Sequence, residues 1–174
     1  ITAIAGASGN GQLTLGELLC GMRRLDAGRL QLPEQGVARI PEDRHGTGVI
    51  GDLPVWENAV LERLRSPVFR RGPWIRRQAA RAHARAIEEA FDVRGAGLDG
   101  PARALSGGNM QELILGRALL APDRSAPRLI VAHQPTWGLD VGAVAYVQEQ
   151  LLAARDDGAA VLLISDDLDE VLAL

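Results

Sequence analysis

The stretch that most constrains this chain is Leu105-Ser106-Gly107-Gly108-Asn109-Met110-Gln111. A serine and two glycines precede a run from Met110 to Leu120 in which Leu113, Ile114, Arg117 and Ala118 recur at helical spacing. Ser106 stands where an N-cap belongs, and the glycines allow a ligand to come close to the backbone. A helix start presents unpaired N–H groups and a partial positive charge, so the segment suits an anion such as phosphate. Taken alone, Ser-Gly-Gly before a helix is an ordinary cap. Its meaning depends on what else the chain carries.

A second glycine-bearing turn lies near the start. Ile1-Thr2-Ala3-Ile4-Ala5 reads as a short buried strand, and Gly6-Ala7-Ser8-Gly9-Asn10-Gly11-Gln12-Leu13 leads into an apolar helical run from Leu15 to Met22. Strand, glycine loop and helix together are the context of a phosphate-cradling loop. The candidate residues are Gly6, Gly9, Asn10, Gly11, Gln12, Leu13 and Thr14. Gly6 and Gly11 match the spacing of the nucleotide-triphosphate loop, but Gln12 and Leu13 stand where that loop requires lysine and then serine or threonine. The dinucleotide-binding pattern fits less well, because Thr14 follows Gly9-x-Gly11 in place of a third glycine. Backbone N–H groups could still hold phosphate. A cation for the terminal phosphates and a hydroxyl for Mg²⁺ are missing, and Thr14 lies one residue too late. Charge-assisted hydrogen bonds contribute roughly 1.5–3 kcal/mol each, so their loss weakens nucleotide binding by about one to two decades or more. The loop is expected to bind poorly and to catalyse worse.

The rest of the chain supplies the frame. With 174 residues, 47% of them hydrophobic, a single domain with a subdomain is expected. A net charge of −3 argues against broad nucleic-acid binding, and all 19 basic residues are arginine. The lone Cys20 excludes an internal disulfide framework. No apolar run approaches the roughly 20 residues that span a bilayer, so any membrane connection is expected through a partner, without direct insertion.

Arg23 to Gly36 reads as a turn-rich connection with a turn at Asp26-Ala27-Gly28 and a brief strand at Arg29–Leu32. Val37–Ile40 is strand-like and ends at Pro41-Glu42-Asp43-Arg44. The three glycines between His45 and Gly51 predict a mobile loop. Helices are predicted from Val55 to Leu64 and from Ile75 to Phe91, the second with alanines and arginines on its outer face. This defines a helical subdomain, 53–120, inserted within the single domain 1–174. Trp56, Phe69 and Trp74 beside the arginines from Arg70 to Arg85 form a candidate docking surface. Leu129–Ala132 is a buried strand with His133-Gln134-Pro135-Thr136 at its carboxyl end, where α/β sheets place their sites. A turn at Trp137–Asp140, a helix from Val144 to Arg155, a buried strand Ala160–Ile164 and N-capping chemistry at Ser165–Leu168 complete the pattern. Strands alternating with helices give an α/β fold with a mainly parallel sheet flanked by helices.

In this order the motifs resemble the nucleotide-binding domain of an ABC transporter, a P-loop NTPase-like fold. Pro41-Glu42-Asp43-Arg44, Leu105 to Gln111, and Gln134-Pro135-Thr136 followed by Gly138-Leu139-Asp140-Val141 are similar to the second ATPase half of bacterial simple-sugar and nucleoside importers. The resemblance implies ATP and Mg²⁺ as ligands, a head-to-tail sandwich with a second ATP-binding half, and a transmembrane permease. It further implies a cytoplasmic position at the inner face of the membrane. It makes Leu105, Ser106, Gly107, Gly108, Asn109 and Gln111 the signature motif and Asp140 the D-loop. Glu42 takes the place of the nucleotide-sensing glutamine. Gln134 and Asp166 take the catalytic positions of the general-base glutamate and the switch histidine, and His133 that of the metal-site aspartate. A glutamine cannot take a proton from water as a carboxylate does, and neutral histidine is a poor Mg²⁺ ligand. No metal ligand is therefore assigned, and His133 is read as a structural residue. The expectation is a half whose own loop site is degenerate and whose signature completes its partner's site. The alternative is a nucleotide-binding regulatory or structural module that never hydrolyses ATP.

Overall fold

Two long apolar runs, Leu129–His133 and Ala160–Ser165, dictate the layout, because strands covered on both faces must lie inside a sheet. In the computed structural model, which describes residues 1–33, 36–123 and 125–174, the chain divides into two units. One comprises Ile1–Glu42 with Ala126–Leu174; the other, Asp43–Ser125, is inserted between those segments in the sequence.

The first unit carries an all-parallel sheet of β1 (Thr2–Ala5), β2 (Val37–Ile40), β5 (Leu129–His133) and β6 (Ala160–Ser165), in the order β1-β6-β5-β2. Its register pairs Thr2 with Leu162, Val37 with Leu129 and His133 with Ile164. The central strands hold the core, with Ile130, Val131, Ala132, Leu163 and Ile164 all buried. Strand β1 is one of the two edges, and Thr2, Ala3 and Ala5 are exposed, so the buried strand expected there is corrected to a largely exposed one. Helix α1 (Gln12–Leu19) follows β1, α5 (Val141–Asp156) links β5 to β6, and α6 (Leu168–Ala173) follows β6. Helix α1 thus begins before the predicted Leu15. Arg29–Leu32 forms no strand, although Gly28 adopts the positive φ (96°) of a turn. Glu34 and Gln35 of the predicted turn-rich connection lie outside the described residues.

The second unit packs α2 (Val55–Val60), α3 (Arg77–Ala90) and α4 (Gly107–Leu119) around Val60, Phe69, Ala84, Ile87, Met110 and Ile114. The predicted mobile loop after His45 is instead a π-helical turn, Arg44–Gly48. The Asp43 carboxylate accepts from the N–H groups of His45 (3.0 Å) and Gly46 (2.9 Å), and a Cβ on Gly46 would press into that carboxylate. Between α2 and α3 lies a hairpin that periodicity could not reveal, β3 (Arg70–Arg71) paired antiparallel with β4 (Trp74–Ile75). It delays α3 to Arg77. The alanines of α3 divide between its faces: Ala80 and Ala84 point inward and Ala82, Ala86 and Ala90 are exposed. Trp56 and Phe69 are core residues, 7% and 0% exposed, so neither belongs to a docking surface. Arg77 and Arg81 lie over the Trp56 ring at 5.9 and 5.8 Å, which explains the company of aromatic and arginine in the sequence.

One buried charge ties these helices together. Arg117, fully buried, donates through Nη1 to the Asn58 carbonyl (3.3 Å) and places Nη2 3.2 Å from Glu62 Oε1. Arg63 caps the far end of α4, donating to the carbonyls of Arg117 (3.4 Å) and Ala118 (3.1 Å), where a cation complements the helix dipole. Beside it, Gly116 lets α4 close on α3. A Cβ there would run into Ile87 Cγ2 and come within 3.0 Å of the Phe91 ring. Alanine gains about 1 kcal/mol of helix propensity over glycine, but overpacking a buried contact costs about 1–3 kcal/mol. The methyl of Ile87 is β-branched and cannot swing aside, so the clash wins. Gly116→Ala is expected to destabilise the protein by about 1–2 kcal/mol in urea denaturation; a gain in stability would show that the helix interface yields.

Candidate functional site

The predicted phosphate loop runs from β1, fixed where Gly6 N–H donates to the Ser165 carbonyl (3.2 Å), to α1. Gly9 (φ 91°) and Gly11 (φ 93°) adopt left-handed conformations that a side chain resists, so glycine is required at both. The Gln12 side chain folds back over the turn. Its Oε1 accepts from Asn10 N–H (2.9 Å), and its Nε2 donates to the carbonyls of Ala7 (2.7 Å) and Gly6 (3.2 Å). Asn10 Nδ2 also donates to the Ala7 carbonyl (2.9 Å). The loop is thereby laced by its own amides, one of its N–H groups already taken by an acceptor that carries no charge. Leu13 is 57% exposed and offers no oxygen, and Thr14 is exposed one position on. These residues do not fit a metal-bound triphosphate: the cation is replaced by an amide that satisfies the loop itself.

At the carboxyl end of β5, His133 is nearly buried, with Nε2 3.6 Å from Glu42 Oε2 at the end of β2. The resemblance gave these two positions separate roles; the sheet makes them neighbours. Gln134 is 5% exposed and holds a left-handed φ of 47°, unusual for a residue with a side chain. Its N–H donates to the Ile164 carbonyl (2.8 Å), and its Oε1 accepts from Ser165 Oγ (3.4 Å). Gln134, Thr136, Trp137, Leu139, Asp166 and Glu170 help line a cavity of about 510 Å³. Asp166 is exposed at its rim, whereas Thr136 Oγ1 donates to the buried Glu170 Oε1 (2.7 Å). Asp140 is occupied in capping α5, accepting from Ala143 N–H (3.0 Å).

Sequence reasoning missed Ser165 and Glu170 as partners of this cavity's lining. A signal existed for the second: Asp167-x-x-Glu170 has capping-box spacing. Asp167 does cap α6, accepting from Asp169 N–H (2.9 Å), but Glu170 turns its side chain to Thr136.

In the other unit the signature begins α4. Ser106 Oγ accepts from Asn109 N–H (3.3 Å) and Asn109 Nδ2 (2.8 Å), while Asn109 Oδ1 accepts from Arg94 N–H. Both lone pairs of the hydroxyl are engaged, so its proton is what it can offer a ligand. Gly107 and Gly108 have no positive φ, and a Cβ on either would meet nothing within 4 Å. Leu105 and Gln111 are buried. Further along α4, the partly buried Glu112 has an Oε2 with no hydrogen-bond partner.

A parallel sheet with a glycine loop running from an edge strand into a helix defines an α/β fold of the P-loop NTPase type. The sequence narrows this further: residues 1–132 match the ABC transporter family, and the chain belongs to it. Over all of its length it is 42% identical to the glucose import ATP-binding protein TsgD13 of Haloferax volcanii, and over 99% of its length 40% identical to the nucleoside import ATP-binding protein NupA of Lactococcus lactis. The guanosine import ATP-binding protein NupO of Bacillus subtilis is 38% identical over the whole chain. The chain spans about a third of the length of these relatives (34%, 36% and 36%). The fold matches a dimeric ATP-binding cassette bound to ADP and Pi, with a TM-score of 0.75 at 20% identity, covering 99% of this chain and 77% of that one.

Burial and the nearby Asp92 push the Glu112 carboxyl above its ordinary value of 4.5, while Arg94 opposes this. A carboxyl raised in the folded state costs stability once it must ionise, and the loss grows as pH rises from the unfolded value through the folded one. Glu112→Gln is therefore expected to raise the thermal midpoint at neutral pH, with the difference vanishing below about pH 4. A difference that persists in acid would point to packing instead of charge.

Proposed function

We propose that the chain is an ATP-binding half of an importer for simple sugars or nucleosides, and that its signature motif serves ATP held by a partner half. The observation that carries this reading is the pair Gly107 and Gly108. Two glycines in a helix's first turn cost about 0.8–1 kcal/mol each relative to alanine. Their φ does not require glycine, and no neighbour among the described residues needs the room. What glycine provides there is space for a visitor, and the Ser106 hydroxyl beside them has a proton to donate to an anion.

The chain's own loop supports the other half of the reading. Gln12 laces the loop, Leu13 offers no ligand oxygen, and Gln134 and His133 stand where a hydrolytic site needs carboxylates. ATP and Mg²⁺ would be held weakly at this loop. At the signature, the Ser106 hydroxyl and the first-turn N–H groups would hold a phosphate and stabilise charge developing on it. The substrate class and the permease partner follow from the relatives named as glucose, nucleoside and guanosine import proteins. With a permease as partner, the chain would lie at the cytoplasmic face of the membrane.

Two experiments test this. The isolated chain, supplied with Mg²⁺-ATP, is expected to release no more phosphate than a protein-free blank; robust turnover lost in Gln134→Ala would mean that the site is competent after all. In the assembled importer, Gly108→Asp sets a like charge against phosphate and Ser106→Arg fills the space beside it. Each is expected to abolish hydrolysis and transport, whereas Gln12→Ala should cost far less. The reverse order of severity would exchange the roles of the two sites.

A further inference from the structure

Between Glu62 and Glu88 the chain carries eight arginines and no aspartate or glutamate, although its net charge is −3. At the middle of this stretch lies the hairpin β3–β4, exposed along both strands. Trp74 is 76% exposed and Ile75 50%. Arg70, Arg71, Arg76 and Arg77 flank them, all exposed, and among the described residues no carboxylate lies within ion-pair reach of these four. By contrast Arg81, Arg94, Arg103 and Arg155 each pair with an aspartate. Their contacts are with neutral groups: Arg70 Nε donates to the Gly72 carbonyl, Arg76 Nη1 donates to the Val68 carbonyl, and Arg77 lies over the Trp56 ring.

We infer that this hairpin docks on the headgroups of an anionic lipid surface. It buries none of its own residues, so the core does not account for an indole at its tip. Four uncompensated guanidinium groups would repel one another, and they are stabilised together by a surface that presents many phosphates at once. Guanidinium binds phosphate bidentately and sheds water more readily than an ammonium. An indole flanked by arginines is the composition that settles at the headgroup level of a bilayer. The contact is superficial, since no helix among the described residues is long and apolar enough to cross a membrane. It goes beyond the proposed function and does not depend on it, because neither nucleotide nor permease enters the interaction.

Co-sedimentation of the chain with vesicles tests this, comparing phosphatidylcholine alone with phosphatidylcholine mixed with phosphatidylglycerol. The chain is expected to sediment with the mixed vesicles and not with the neutral ones, and to be released by salt. An anionic surface attracts each arginine enough to change partition about fivefold. Arg70→Gln with Arg71→Gln should therefore lower binding by about twentyfold or more, and Trp74→Ala by about tenfold. The pair Arg94→Gln and Arg155→Gln removes the same net charge elsewhere and should leave binding within a few-fold of the parent. Circular dichroism of each variant checks that the fold is kept. Equal sedimentation with both kinds of vesicle overturns the inference and leaves the face to an acidic protein partner. A loss in the Arg94 and Arg155 pair equal to that in the hairpin pair also overturns it, because the attraction would then be to net charge alone.

Discussion

Every helix start leaves N–H groups that the helix itself cannot satisfy, and what meets them governs what each segment can bind. In this chain Asp43, Asp140 and Asp167 each turn a carboxylate onto such groups. Those starts repel an external anion as well as being satisfied. The start of α1 is met by no side-chain cap among the described residues; the neutral Gln12 amide turns back onto the preceding loop instead. Among the described residues Ser106 alone caps with a group that keeps a proton to give, followed by two glycines with open space beside them. The chain therefore differs most from start to start in charge and access, although each presents the same backbone chemistry.

The signature turn can be presented in this way only if α4 is held rigidly from behind. A buried guanidinium is costly to desolvate, and removing one partner of a buried pair typically costs about 3–5 kcal/mol. Arg117 offsets that cost by bonding the Asn58 carbonyl and pairing with Glu62, drawing α2 and the turn after it onto α4. Asn58 in turn accepts from Ile50 N–H and donates to the carbonyls of Ile50 and Leu53. Polar groups inside an apolar unit thus fix the register of the helices, where apolar packing alone tolerates sliding.

Strands β5 and β6 were legible because burial on both faces forces an unbroken apolar run, and β2 because it stops at a proline. The strand at Thr2–Ala5 was equally apolar, yet composition does not say which strand is the edge. The hairpin at Arg70–Ile75 has only two residues in each strand, too few for alternation to register. Trp56 was misjudged because an arginine beside an aromatic reads the same whether the ring is buried beneath the guanidinium or shared with a partner, and Phe69 because its ring is buried against His83; Trp74, in the same company, is the one that is exposed. At the candidate site, residue types show which side chains stand in the loop and at the strand end. They did not foretell that Gln12 would bond its own loop or that His133 would stand beside Glu42, since both depend on backbone geometry.

The neutral residues at positions 12, 13, 133 and 134 make physical sense as a set. Gln134 is 5% exposed, and His133 is nearly as buried. Carboxylates at both places would be two like charges with little water, tolerable only if a cation lay between or beside them. Without a lysine at Gln12 and without a metal-ligating hydroxyl at Leu13, that cation has nothing to hold it. An amide at 134 removes the burden, because it can accept from Ser165 Oγ without carrying charge. At 133 an imidazole brings a hydrogen-bonding edge toward Glu42, which a second carboxylate would repel. With neutral residues at positions 12 and 13, the electrostatics of the strand end favour neutral residues at 133 and 134 as well. That coupling joins two stretches of sequence more than a hundred residues apart through the pairing of β1 and β5 with β6.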